Sequence, residues 1–393
     1  MRRSRALLLL AAYLICRAAL GAALNPLDNG PDEAAHVEYV RAIAHDPTAR
    51  ATGVESRQLP TYYLLAAIPW RLTDGASEPT RIFAVRLLSA LCGAATLALI
   101  WLAALVLWPG RMAPAATAAG MALAPGHLFL LGSVSNDPLA TTLASGSFLA
   151  ALQLWVGGPG PARSRWSAAW MLMSAGALLV KPTALPVVAG AAAGLVYRFR
   201  RPVWAHWSAR LVLLAAAVAA VAGNVYLAAQ EPTSGALPAL ARFWPMAVLR
   251  APVAYIGNGG LAESFRTWWY GYDYLVRWPV MVEALLAVSA GLLTVAVTAG
   301  LALRGLPRAG WGSGGLAVPG IVWWCAASQV AFLLARYGLG DVLRIEMGGA
   351  AQAKAFFAGI APLALLWSAG LVAAGAQLRL PEREVARGAL AWL

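Results

Sequence analysis

The densest run of groups able to do chemistry is Pro31-Asp-Glu-Ala-Ala-His-Val-Glu-Tyr39. Asp32 and His36 are four residues apart, which puts them on one face of a helix, with Glu33 beside them. Carboxylates at the edge of a low-dielectric region can have a raised pKa and take a proton from a substrate hydroxyl. Acids are also what the first turn of any helix favours, so the types alone leave both roles open. A second run, Ser133-Val-Ser-Asn-Asp-Pro138, offers Asp137 in a short turn. There Asn136 or Asp137 could equally cap a helix that starts with Pro138 in its first turn. The chain has just two lysines, Lys181 and Lys354, and each could snorkel from a helix end or hold a phosphate as a point charge. The aromatic peak is Phe265 to Trp278, including Trp268 and Trp269, which suits a membrane-interface belt or stacking on sugar faces. His45, His127 and His206 form no metal spacing and receive no role. Cys16, Cys92 and Cys325 lie in apolar runs with no CxxC pair, which points to neither a disulfide framework nor a zinc site.

The elements that must position these groups follow from composition. Of 393 residues, 60% are hydrophobic and 12% charged, against about 45–50% and about 25% in soluble domains. Disordered, fibrous and ordinary water-soluble classes are thereby excluded, and an all-α polytopic transmembrane helix bundle is predicted. Apolar runs between breakers give about ten spans, at 6–24, 84–108, 113–131, 138–156, 166–181, 183–197, 210–229, 280–303, 318–336 and 355–376. The first is read as an uncleaved span, since it is longer than a signal-peptide core and Arg17 interrupts it. Arg17 is also the clear mid-span charge of this reading. The net charge of +13 is then a matter of topology, with no nucleic acid implied. With the N-terminus in the cytoplasm, 15 of the 30 basic residues but 2 of the 17 acids face that side, so both termini are expected inside. Two long extracytoplasmic loops result, 25–81 and 230–279, in a single integral membrane domain over 1–393. In the first loop, Glu33 to Ala44 shows a stripe of Ala35, Tyr39 and Ile43, and Pro60 to Arg71 is apolar but too short to span. Both predict interfacial helices.

The order of these features resembles a family. An apolar first span, Pro31-Asp32-Glu33-x-x-His36 and then Leu59-Pro60-Thr61-Tyr62-Tyr63-Leu64 is similar to the first extracytoplasmic loop of GT-C glycosyltransferases. The nearest groups in kind are the protein O-mannosyltransferases and aminoarabinose transferases (glycosyltransferase family 39 and its kin) and a related bacterial membrane family. Ser133 to Asp137, Val180-Lys181-Pro182-Thr183, Ser264 to Gly271 and Gln352-Ala-Lys-Ala355 match further motifs of that family in order, so the resemblance covers most of the chain. It implies an inner-membrane enzyme that moves a sugar from a polyprenyl-phosphate donor to a glycan, lipid or protein acceptor, with its active site extracytoplasmic. Carried over by position, Asp32 is the catalytic base and Asp137 the supporting acid, with Glu33 and His36 beside them. Lys354, Lys181, Tyr62, Tyr63, Trp268 and Trp269 contact substrate, and a divalent metal such as Mg or Mn is left open. Two positions depart from the pattern: Ala355 replaces an aromatic, and Leu59 stands where aminoarabinose transferases carry a charge. The rival readings are a transporter or flippase for a lipid-linked glycan, which calls for midplane ionisable groups or repeats, and a non-catalytic membrane protein.

Overall fold

The computed structural model describes residues 2–26, 32–49, 58–157, 161–199, 318–343 and 357–392. Among them every regular element is helical: α1 (Arg2–Leu24), α2 (Glu33–His45), α3 (Thr61–Leu72), α4 (Glu78–Leu107), α5 (Met112–Gly120), α6 (Pro125–Leu131), α7 (Asp137–Val156), α8 (Pro161–Val180), α9 (Leu185–Phe199), α10 (Gly320–Leu343), α11 (Ile360–Gln377) and α12 (Glu382–Trp392). Among the described residues, four stretches are long and apolar enough to cross a membrane: in α1, α4, α7 and the segment Phe357–Gln377. A fifth is formed if Met112–Leu123 and Pro125–Leu131, which meet at a 58° bend, count as one span. Helices α8, α9 and α10 fall where three further spans were predicted. The predicted spans 210–229 and 280–303, and the loop 230–279, lie outside the described residues.

The bend has a local cause. Pro125 supplies no N–H and pushes Ala124 out of the helical region, to φ −52° and ψ 132°. The break frees carbonyls, and His127 Nδ1–H donates to one of them, Ala122 O, at 2.8 Å. Buried His127 therefore repairs the break from within.

Each long helix packs in the way its side chains allow. Helix α1 buries Leu14, Ala18 and Ala22, an i, i+4, i+8 stripe, and leaves Leu8, Leu9, Leu20 and Leu24 exposed, as a helix at the rim of a bundle in lipid would. Small polar side chains tie the centre together: Thr96 of α4 and Thr142 of α7 have their hydroxyls 2.9 Å apart, and Ser147 of α7 and Ser174 of α8 are 2.7 Å apart. Helices α9 and α10 approach through Gly190-Ala-Ala-Ala-Gly194. A Cβ on Gly190 would stand 2.7 Å from the Trp324 carbonyl oxygen, so only glycine fits there.

Two ends of the bundle can be distinguished. Helices α2 and α3 cover one end, where α1 finishes, α4 begins, α6 passes into α7 and α8 passes into α9. Helix α12 covers the other, held to α5 by an Arg111–Glu382 ion pair and packed through Ala386 and Ala389. The covering pair α2–α3 forms its own apolar cluster from Val37, Tyr39, Val40, Ile43, Tyr62, Tyr63, Ala66, Ala67 and Trp70, seated on Ile82 and Val85 of α4. Tyr39 and Ile43 are inward as the stripe predicted, but Ala35 is half-buried. His36, Tyr39, Val40 and Ile43 define the true face.

Candidate functional site

The polar side chains of the α2–α3 end converge from four chain connections. Glu33, the first residue of α2, is 2% exposed, and its carboxylate is held by Arg86 of α4 through two bonds, Nε to Oε1 at 2.8 Å and Nη2 to Oε2 at 2.7 Å. The remaining donors of the Arg86 guanidinium reach Ala22 O at 2.7 Å, Asn25 O at 2.9 Å and Pro26 O at 3.3 Å. One buried cation thereby fastens the C-terminal end of α1, the connection after it and the start of α2 to α4. Glu33 Oε1 also accepts from the backbone N–H of Val134 at 2.7 Å, which carries the clamp across to the α6–α7 connection. A bidentate pair with every donor used is the arrangement in which a buried ion pair is tolerated.

The α6–α7 connection presents Asp137, 5% exposed. Its Oδ1 lies 2.7 Å from Lys181 Nζ at the end of α8, and its Oδ2 accepts from the Ser135 hydroxyl at 3.1 Å. Asn136, which stands at the cap position of α7, makes no side-chain cap, and Lys181 is paired with an acid instead of merely snorkelling. Asn136 Nδ2 donates to Gln58 Oε1, so the segment leading into α3 also joins the turn. Ser89 of α4 donates to Ser133 O at 2.9 Å.

Asp32 differs from both buried acids. It is exposed and has φ 63° and ψ 10°, the left-handed region, at the position preceding α2, and its side chain makes no cap bond. For a non-glycine residue that conformation is uncommon and costs about 1–2 kcal/mol, least for Asp and Asn. His36, buried at 3%, has Nδ1 2.8 Å from the Tyr63 hydroxyl, and Tyr63 in turn stacks on Tyr39 with centroids 3.9 Å apart. Tyr62 is buried beside Ser89 and the Ser135 backbone, and burial pushes its hydroxyl pKa well above the usual phenol value.

Of the residues singled out in the sequence, Asp32, Glu33, His36, Tyr62, Tyr63, Asp137 and Lys181 thus belong to this end of the molecule. Lys354, Trp268 and Trp269 lie outside the described residues. Arg86, Gln58 and Asn136 had no assigned role in the site. For Arg86 a signal existed: an arginine inside an apolar span calls for a named partner. Among the described residues, no three His, Cys, Asp or Glu side chains come together to hold a metal ion.

No protein-family model and no curated protein matches the chain. Solved structures do resemble it. ArnT from Cupriavidus metallidurans in the apo state is 17% identical with a TM-score of 0.44, over 96% of this chain and 80% of that one. The same protein bound to undecaprenyl phosphate gives 17% and 0.41, over 94% and 79%. An Archaeoglobus fulgidus oligosaccharyltransferase tethered to an acceptor peptide gives 15% and 0.45, over 97% of this chain but 55% of that one. At TM-scores below one half, the likeness assigns no residue and no reaction.

Proposed function

We propose that this protein is a membrane glycosyltransferase that moves a sugar from a polyprenyl-phosphate carrier to an acceptor on the extracytoplasmic side, with Asp32 as general base. Attack on the anomeric carbon needs the acceptor hydroxyl to lose its proton. Asp32 takes that proton as the new glycosidic bond forms, while the bond from the anomeric carbon to the phosphate oxygen breaks and the polyprenyl phosphate departs. A cation beside the leaving phosphate stabilises its charge. Lys181 is the described candidate, oriented by Asp137, and Lys354 is carried by the sequence resemblance alone. Glu33 and His36 act on this reading as positioning residues.

The observation that carries the assignment is the division of labour among three acids. Glu33 and Asp137 are buried and neutralised by Arg86 and Lys181, whereas Asp32 is exposed and held in a strained backbone beside Glu33. Strain at a polar residue on the rim of a rigid cluster is a recognised mark of function. Asp46, at the far end of α2, supplies the contrast. It accepts from Thr48 N and Oγ1 at 2.8 and 2.7 Å, which holds its carboxyl below the ordinary range and makes it a weaker base.

The test is transfer from a polyprenyl-phosphate sugar by purified protein. Asp32→Asn keeps a residue that tolerates the left-handed region and removes the proton acceptor, so turnover should fall by about 10² to 10⁴ with folding intact. Asp46→Asn should transfer normally. Equal activity of Asp32→Asn and wild type, or equal damage from Asp46→Asn, would reject Asp32 as base.

A further inference from the structure

The buried charges at the α2–α3 end described so far cancel in pairs, Glu33 with Arg86 and Asp137 with Lys181, but two neutral groups beside them are incompletely served. Asn136 is 0% exposed, and no protein donor reaches its Oδ1. Its amide nitrogen is taken by Gln58, a half-buried residue. Tyr62 Oη is likewise buried without a hydrogen bond of ordinary geometry, although it abuts Ser89 and the Ser135 backbone. The Ser89 proton is already given to Ser133 O, and the Ser135 proton to Asp137. A buried polar atom without a partner costs about 1–3 kcal/mol, so two at one turn call for a use.

The kind of ligand follows from the groups. A carboxamide offers one acceptor and one donor side by side, and a phenol can donate. The complementary ligand is a hydroxyl, which both donates and accepts. An anion cannot satisfy the Asn136 oxygen, and an added cation would meet acids that already hold Arg86 and Lys181. We infer that Asn136 reads a hydroxyl of the transferred sugar, with Gln58 occupying its amide until the sugar displaces it. This rests on the glycosyl-transfer reading and adds to it a residue for sugar selectivity and a gate. It also accounts for Asn136 being fully buried: the reading amide is covered by a residue on a different connection and is uncovered by exchange of one hydrogen bond for another.

The experiment compares binding of bare undecaprenyl phosphate with undecaprenyl phosphate bearing mannose, glucose or galactose, using the full chain in nanodiscs. Wild type should prefer at least one sugar-bearing lipid over the bare one. Asn136→Ala should lose that preference by about five- to tenfold while still binding the bare lipid, the scale of one hydrogen bond. Gln58→Ala should do the reverse and raise the preference, since the competitor is gone. A purely structural amide pair cannot produce opposite shifts. An unchanged preference in Asn136→Ala, or an unchanged or lowered one in Gln58→Ala, would overturn the inference while leaving the transferase reading in place. Should Asn136→Ala fail to fold, Gln58→Ala alone decides. A wild type that binds bare undecaprenyl phosphate but shows no sugar preference would also reject the inference alone. Failure of wild type to bind even the bare lipid would reject the lipid-donor reading and this inference with it.

Discussion

The two ends of the bundle solve the same problem, fastening a short helix across the ends of longer ones, by different means. At one end α12 is held by Arg111–Glu382, whose side chains are 28% and 35% exposed, and its other charges, Arg383, Glu384 and Arg387, stay at the surface. At the other end Arg86 and Glu33 are 3% and 2% exposed, and six further hydrogen bonds or ion contacts radiate from the pair and from Asp137. Water screens the first kind of link and leaves it worth little, whereas the second puts desolvated charge at stake. A fold that needed only a lid could have used the cheaper device twice. Buried, fully partnered charge at one end marks where geometry must be held tightly.

Breaking each device measures that difference. Arg86→Met leaves Glu33 charged and buried and strips three carbonyls of their donor, so unfolding in mixed detergent should show a loss of about 3–5 kcal/mol. Next comes Lys181→Met, whose partner Asp137 is slightly more exposed: about 2–3 kcal/mol, largely restored when Asp137→Asn is added, because the unpaired charge is then gone. Tyr63→Phe removes the hydroxyl from His36 at a cost of about 1 kcal/mol. Arg111→Met at the opposite end should cost less than about 1 kcal/mol, and a loss equal to that of Arg86→Met would erase the contrast. Smallest is Thr96→Val, about 0.6 kcal/mol, the usual scale of a hydrogen bond between helices in a membrane.

Local patterns in the sequence reached the helices but not their cross-links. The positions of α2 and α3 were legible because the first carries an apolar stripe and the second is an apolar run, and both stop short of a membrane-spanning length. The stripe on α2 was right at Tyr39 and Ile43 but took Ala35 where His36 is inward, since His36 is polar by type yet buried, with Tyr63 as its partner. Asn136 and Asp137 suited a helix cap on local grounds. Asn136 makes no such cap, and the partners the two residues do have, Gln58 and Lys181, are 78 and 44 residues away in the chain, where no local window reaches. Arg86 was the missed opportunity, an arginine within a predicted span whose partner 53 residues earlier belonged to the most conspicuous acidic run. The family motifs brought Asp32, Asp137 and Lys181 forward, and of these the Asp137–Lys181 pair is joined directly.

The Arg86 clamp also bears on how the chain enters the bilayer. An arginine at the centre of a helix costs about 2.5–3.5 kcal/mol on insertion scales, but Arg86 lies in the first third of α4, and Glu33 and the carbonyls of Ala22, Asn25 and Pro26 are synthesised before it. Its counter-charge and the carbonyls that accept from it are therefore already made when α4 leaves the insertion channel. The last tie, Val134 N–H to Glu33, arrives only after α6 has been made. Assembly of this end can thus proceed in two stages, with α1 and α4 pairing as a unit before the α6–α7 connection closes over them.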